Sequence, residues 1–142
     1  MREAEIRENI EKAIKMLFLK QPNIFQFTSA TGQTEWNLAH HLANELHLCF
    51  QDYDCDLDVI KVNLGNRRPD IIFHKRDPHG SNFLAIQLKR DGSLSEINDD
   101  IEKVNAYWFD EPLRYEFGAV INIRGDKTYG INVFKRPLTV SI

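Results

Sequence analysis

The feature that most constrains this chain is a pair of apolar runs, Pro69-Asp-Ile-Ile-Phe-His-Lys75 and Phe83-Leu-Ala-Ile-Gln-Leu-Lys89, separated by Arg76-Asp-Pro-His-Gly-Ser-Asn82. β-Branched and aromatic residues favour pleated backbone and the intervening stretch is rich in breakers, so the segment reads as a hairpin folded about His79. Side chains two apart in a strand share a face. Gln87 and Lys89 therefore point with Ala85, whereas Leu84, Ile86 and Leu88 point the other way. On the first strand Asp70 aligns with Ile72 and His74, and the fold of the hairpin sets Asp70 roughly opposite Gln87 and Leu88. One acid, one amide and one amine converge on a single face.

The flanking segments supply layers for such a hairpin. Ile6, Ile10, Ala13, Ile14, Leu17 and Phe18 recur at helical spacing and predict an amphipathic helix over residues 3 to 20, ending before Pro22. Thr34 can cap a second helix running to about His47, with Leu38, Ala39, Leu42, Ala43 and Leu46 on its apolar side. Phe50 to Leu64 turns toward alternation and reads as strand material broken by acids. Ser93 with Glu96 forms a capping box, continued by Leu94, Ile97, Ile101, Val104 and Trp108 as a helix to about Phe109. Tyr115 to Ile123 and Tyr129 to Phe134 read as two further strands. The order α-α-β-β-β-α-β-β predicts an α/β fold, a mixed central β-sheet flanked by helices. At 142 residues it is one domain, 1–142, large enough to bury roughly two thirds of its unfolded surface.

Glu35 joins the constellation by a separate argument. At 100° per residue, the five apolar positions of its helix average to a direction within roughly 15° of Glu35. A carboxylate aimed at a core is costly unless it is paired or binds metal. Glu45 lies nearer the rim and reads as a surface acid. Asp100 and Lys103 flank the apolar stripe of the third helix, where plain surface charge is the default reading and an ion pair or supporting role the alternative. His40, His41 and His47 read as solvated, and His74 as a hydrogen-bonded strand histidine rather than a phosphate contact.

Composition narrows the partners. Net charge is −3 with a sequence pI near 5.9, so any nucleic-acid surface has to be local. Arg67, Arg68, Lys75 and Arg90 are the candidate contacts, although a solvated strand edge explains that basic cluster equally well. Cys49 and Cys55 lack zinc-site spacing and read as reduced structural thiols. The opening Met1-Arg-Glu-Ala-Glu-Ile-Arg-Glu-Asn is charged where a signal peptide needs an apolar stretch, and no run is long enough for a membrane span; the expectation is a cytoplasmic protein without membrane contact.

Two carboxylates with an amide or carbonyl oxygen make a hard oxygen site of the kind Mg²⁺ takes. With that chemistry in view, Arg68-Pro69-Asp70-Ile-Ile, placed seventeen residues before Gln87-Leu-Lys89, resembles the signature of the PD-(D/E)XK nuclease superfamily. More narrowly, Arg-Pro-Asp-Ile-Ile-Phe-His-Lys-Arg, Asn-Phe-Leu-Ala-Ile-Gln-Leu-Lys and Asp-Asp-Ile-Glu-Lys resemble a group of small, mostly uncharacterised bacterial members. The likeness spans Glu35 to Ile123. It implies a restriction endonuclease-like fold, cleavage of phosphodiester bonds in DNA, and Mg²⁺, replaceable by Mn²⁺, held by Glu35, Asp70, Gln87 and the Leu88 backbone carbonyl. Lys89 would then assist the attacking water. The resemblance also admits a homodimer in which two sites address two strands. The family commonly has Glu or Asp where this chain has Gln87, which lowers the charge offered to a divalent ion. That departure supports the alternative of a nuclease-fold module without catalysis, binding nucleic acid or protein.

Overall fold

Helix α1 (Glu3–Lys20) forms as its periodicity predicts, burying Ile6, Ile10, Ala13, Ile14 and Leu17. Acids in its first turn and Lys20 in its last complement the helix dipole. Helix α2 (Thr34–Cys49) buries Leu38, Leu42, Ala43 and Leu46 beside it. These elements come from a computed structural model that describes residues 1–26, 34–57, 69–77, 80–110 and 113–137, and in it the side chains of Thr34 and Glu35 lie outside the described set.

Five strands make one sheet in the order β1-β2-β3-β4-β5: Asp54–Leu57, Ile71–His74, Asn82–Arg90, Phe117–Ile123 and Tyr129–Lys135. β1, β2 and β3 form an antiparallel meander, β4 runs parallel to β3, and β5 returns antiparallel to β4. A parallel neighbour requires a crossover. That crossover is α3 (Leu94–Lys103), which continues into a π-helical turn, Val104–Trp108, closed by the Phe109 N–H on the Val104 carbonyl at 3.1 Å.

The sheet separates two cores. On one face, Ile71, Phe73, Leu84, Ile86, Leu88, Ala119, Ile121 and Ile123 pack against α1 and α2. On the other, Ile72, Ala85 and Val120 meet Val104, Trp108, Phe109, Leu113 and Tyr115. The π turn sits close on β4: a Cβ on Gly118 would come within 2.5 Å of Val104 Cγ1, so only glycine fits there. The alternation expected for the hairpin holds, with an irregularity between Phe73 and His74. Asn82 pairs with His74 and Leu84 with Phe73, so Phe83 has no opposite residue. That frees Phe83 to turn into the first core, where it stacks on Tyr53 at 4.2 Å between centroids.

Some sequence expectations change. The strand expected over Phe50 to Leu64 is Asp54–Leu57, and its continuation lies outside the described residues. Leu94, expected on the apolar stripe of α3, is 78% exposed because the first turn of that helix projects beyond the sheet-covered part. Glu45 has only 10% of its side chain exposed and pairs with Lys20 at 2.8 Å, clamping α1 to α2. Among the described residues no helix is long and apolar enough to cross a membrane.

Candidate functional site

The register fixes the relation between the hairpin's polar residues. The β2–β3 register begins with Ile71 opposite Ile86, and Asp70 immediately precedes it, alongside the Ile86–Leu88 stretch of β3. The Asp70 N–H donates to the Ile86 carbonyl at 2.9 Å, one residue out of step with the Ile71–Ile86 register. Asp70 Oδ2 then accepts the Leu88 N–H at 2.7 Å. The carboxylate thereby gives the Leu88 amide a partner just before β2 begins. Asp70 has this structural part whatever else it binds.

Gln87 and Lys89 follow on the same face, one pleat repeat or roughly 7 Å apart along β3. Gln87 is 8% exposed and Lys89 keeps 25% of its side chain in water. Gln87 and Lys89 thus share one face of β3, and Asp70 is tied to the same end of the hairpin through the Leu88 N–H.

The crossover helix adds a residue that the sequence left as surface charge. Asp100 on α3 is 1% exposed. Its Oδ2 lies 3.9 Å from Lys89 Nζ and has no hydrogen-bond partner, while Oδ1 accepts from Lys103 Nζ at 3.4 Å. Burial pushes the Asp100 carboxyl above the ordinary carboxylate range, and Lys89 and Lys103 pull it back. The default reading of Asp100 is corrected: it lies roughly 70° off the stripe's centre, and the sheet reaches far enough to cover that flank.

The position of α3 is itself tied down. Asp91 leaves β3 with φ +50, its N–H bonded to the Ile123 carbonyl at 3.0 Å and its Oδ1 accepting from Gly125 at 3.1 Å. Asn122, 7% exposed and paired with Lys89 in the ladder, accepts the Gly92 N–H at 2.9 Å and donates to the Gly92 carbonyl at 3.1 Å. The Ser93–Glu96 capping box then starts the helix. A buried asparagine at the next-to-last position of a strand was the available signal for this lock, since a buried amide has to find partners.

Two other sequence candidates, Lys75 and Arg90, are not brought to this face and end of the sheet. Lys75 follows β2 at its opposite end, roughly 16 Å along the strand from Asp70, and lies over the Tyr53 ring at 5.4 Å. Arg90 shares Leu88's side of the sheet and covers the Phe25 ring at 5.5 Å. Arg67 and Arg68 lie outside the described residues, as does the Glu35 side chain. α2 packs on the face opposite Gln87 and Lys89, with His47 and Phe50 against Phe73 at the hairpin end. Glu35 stands at the other end of that helix, about 18 Å from His47 along its axis.

His74 and Asp56 occupy the Asp100 side of the sheet near the hairpin end. Their contact, His74 Nε2 to Asp56 Oδ2, is 2.5 Å. Arg76 reaches both oxygens of Asp56, and its N–H donates to Asp54 Oδ2 at 2.9 Å. The hydrogen bond from Arg76 holds the Asp56 carboxyl below the ordinary range, with His74 adding to the effect against burial. Cys49 and Cys55 are free thiols, and burial pushes Cys55 up to about 11, so it carries no reactive thiolate.

Among the described residues no three His, Cys, Asp or Glu side chains gather as a metal site. No family model matches the chain, and no curated protein does. A solved structure described as "Crystal structure of SSO0001" aligns with 96% of this chain and 78% of its own, at 17% identity and a TM-score of 0.38. A likeness at that score carries no argument about fold or function.

Proposed function

We propose that this chain is a metal-dependent nuclease of restriction endonuclease-like fold that hydrolyses phosphodiester bonds in DNA. The observation that carries the reading is the Asp70 carboxylate bonded to the Leu88 N–H, between Gln87 and Lys89, which share one face of β3. The element order and the mixed sheet agree with the fold the motif implies. The donor set suits the ion: Asp70, the Gln87 amide oxygen and the Leu88 carbonyl are hard oxygen donors, with Glu35 as the second acid. Bound there, Mg²⁺ or Mn²⁺ would supply Lewis acidity to the scissile phosphate and a more acidic water.

The chain's own residues have separate parts. Asp70 supplies charge and, through Leu88, ties its carboxylate to the β3 backbone, so the donor is held by the sheet itself. Gln87, nearly buried, offers oxygen without charge. Lys89 keeps an ammonium on the same face, where it can orient a water or offset negative charge growing on the phosphorus oxygens.

The test is cleavage of plasmid, linear and single-stranded DNA with Mg²⁺ or Mn²⁺ by the wild type, Asp70→Asn and Lys89→Met. Asn retains an acceptor for the Leu88 N–H, so a loss of activity there reports the charge rather than the strand end. Metal-dependent cutting that both substitutions abolish supports the enzyme. DNA binding without cutting in all three proteins would favour the non-catalytic module, to which the uncharged Gln87 also points.

A further inference from the structure

Resting on the nuclease reading, we propose that Asp100 is a positioning residue: its buried carboxylate, on the crossover helix, holds the Lys89 ammonium at the Asp70–Gln87 end of the sheet. Asp100 is 1% exposed and lies between two lysines. Its two oxygens are not equivalent. Oδ1 has Lys103 as a donor, whereas Oδ2 has no hydrogen bond and faces Lys89 at 3.9 Å. A fixed bridge would close to hydrogen-bond distance; this spacing draws the amine toward α3 and still leaves its three donors for another acceptor.

The surroundings fit a device that sets position. β3 places the Lys89 stem next to Asn122 in the ladder, Asn122 locks Gly92, and the Ser93 cap starts α3 at a fixed place. Asp100 is therefore held rigidly relative to Lys89 by main chain on both sides. A long, rotamer-rich lysine 25% exposed would otherwise sample water. The carboxylate narrows that freedom on the side away from α1 and α2, and a phosphate oxygen or its attacking water can take the amine over without a rearrangement of backbone.

The experiment pairs kinetics on a linear duplex DNA with Mg²⁺ with NMR of the lysine Cε–Nζ signals, Lys89 being assigned through Lys89→Met. Asp100→Asn should lower kcat about ten- to a hundredfold with KM within about twofold, and should move the Lys89 signal. Lys103→Gln should leave kcat within about threefold and the Lys89 signal in place. Asp100→Ser is the second variant if the amide is not accommodated, with the same outcomes expected. A fall in kcat without movement of the Lys89 signal overturns the proposal, because Asp100 would then act through the fold alone; so does an unchanged kcat. If wild type cuts no DNA, the nuclease reading fails, and an unmoved Lys89 signal in Asp100→Asn would show that the pairing fails as well.

Discussion

Asp56 and Asp100 lie on the same side of one sheet, both near cations, and they have opposite electrostatic character. Asp56, with 28% of its side chain exposed, receives His74 and both arms of Arg76. Its carboxyl is held below the ordinary range, with the Arg76 hydrogen bond as the main cause. Asp100, with 2% of its side chain exposed, has one oxygen unbonded and a carboxyl pushed up by burial. A fully bonded acid at a rim ties β1 to the end of β2 and explains itself. A buried acid with an unmet oxygen is a cost to the fold, and costs of that kind concentrate where a side chain serves chemistry.

If the contrast is real, activity should separate the two ends by the largest margin. Asp70→Asn and Lys89→Met should each reduce metal-dependent cleavage by about 10²- to 10³-fold, the range for losing a preorganised charge at a reacting phosphate. Arg76→Met, which dismantles the Asp56 clamp, should change kcat less than about threefold. Comparable losses from Arg76→Met would erase the distinction and place the hairpin end within the site.

Stability should separate them next. Asn122→Ala removes both partners of Gly92 from a buried position and should cost about 2 kcal/mol in urea unfolding. Asp56→Asn should cost about 1 kcal/mol at neutral pH, limited by the water still reaching its side chain. Its pH dependence has a definite sign. A depressed folded pKa gives stability that is present above the unfolded value, near 3.9, and lost as pH falls through the lower folded value. The gap between wild type and Asp56→Asn should therefore narrow progressively as pH falls below about 4; a gap that does not narrow with falling pH would mean that packing, not charge, is what Asp56 contributes.

The hairpin was legible because strand alternation has period two: once Ile71 and Ile86 are assigned, the faces of Ile71 to Phe73 and of Leu84 to Lys89 follow, the irregularity lying around the unpaired Phe83. The first helix was legible for the same kind of reason, its buried stripe running unbroken from Ile6 to Leu17, about three turns. Asp100 was harder. It sits at the edge of its helix's apolar arc, and whether that edge faces water depends on how far the sheet extends, which is a tertiary fact. Leu94 erred in the opposite direction, an apolar residue on the stripe with no sheet beneath it. Lys75 and Arg90 were grouped by closeness in sequence to the site, but strand length carries one to the far end and pleat turns the other to the opposite face.

The smallest effect expected is also the most diagnostic. Asp100→Asn should leave stability at pH 7 unchanged or raised by up to about 1 kcal/mol, the scale of an unsatisfied buried acceptor less the lost ion pairs. Removing one partner of a buried pair is harmful when the other charge stays buried, but Lys89 and Lys103 keep 25% and 29% of their side chains in water and can rehydrate. The Asp100 pKa is raised on folding, so its favourable contribution is full below the unfolded value near 3.9 and disappears as pH rises through the folded one. Asp100→Asn should thus compare worst with wild type near pH 3 and best at neutral pH, the reverse of Asp56→Asn. Urea unfolding at the two pH values measures both. A variant that is clearly weaker at pH 7 than at pH 3 would make Asp100 a structural ion-pair hub like Asp56, and the reason for expecting it to serve Lys89 would go with it.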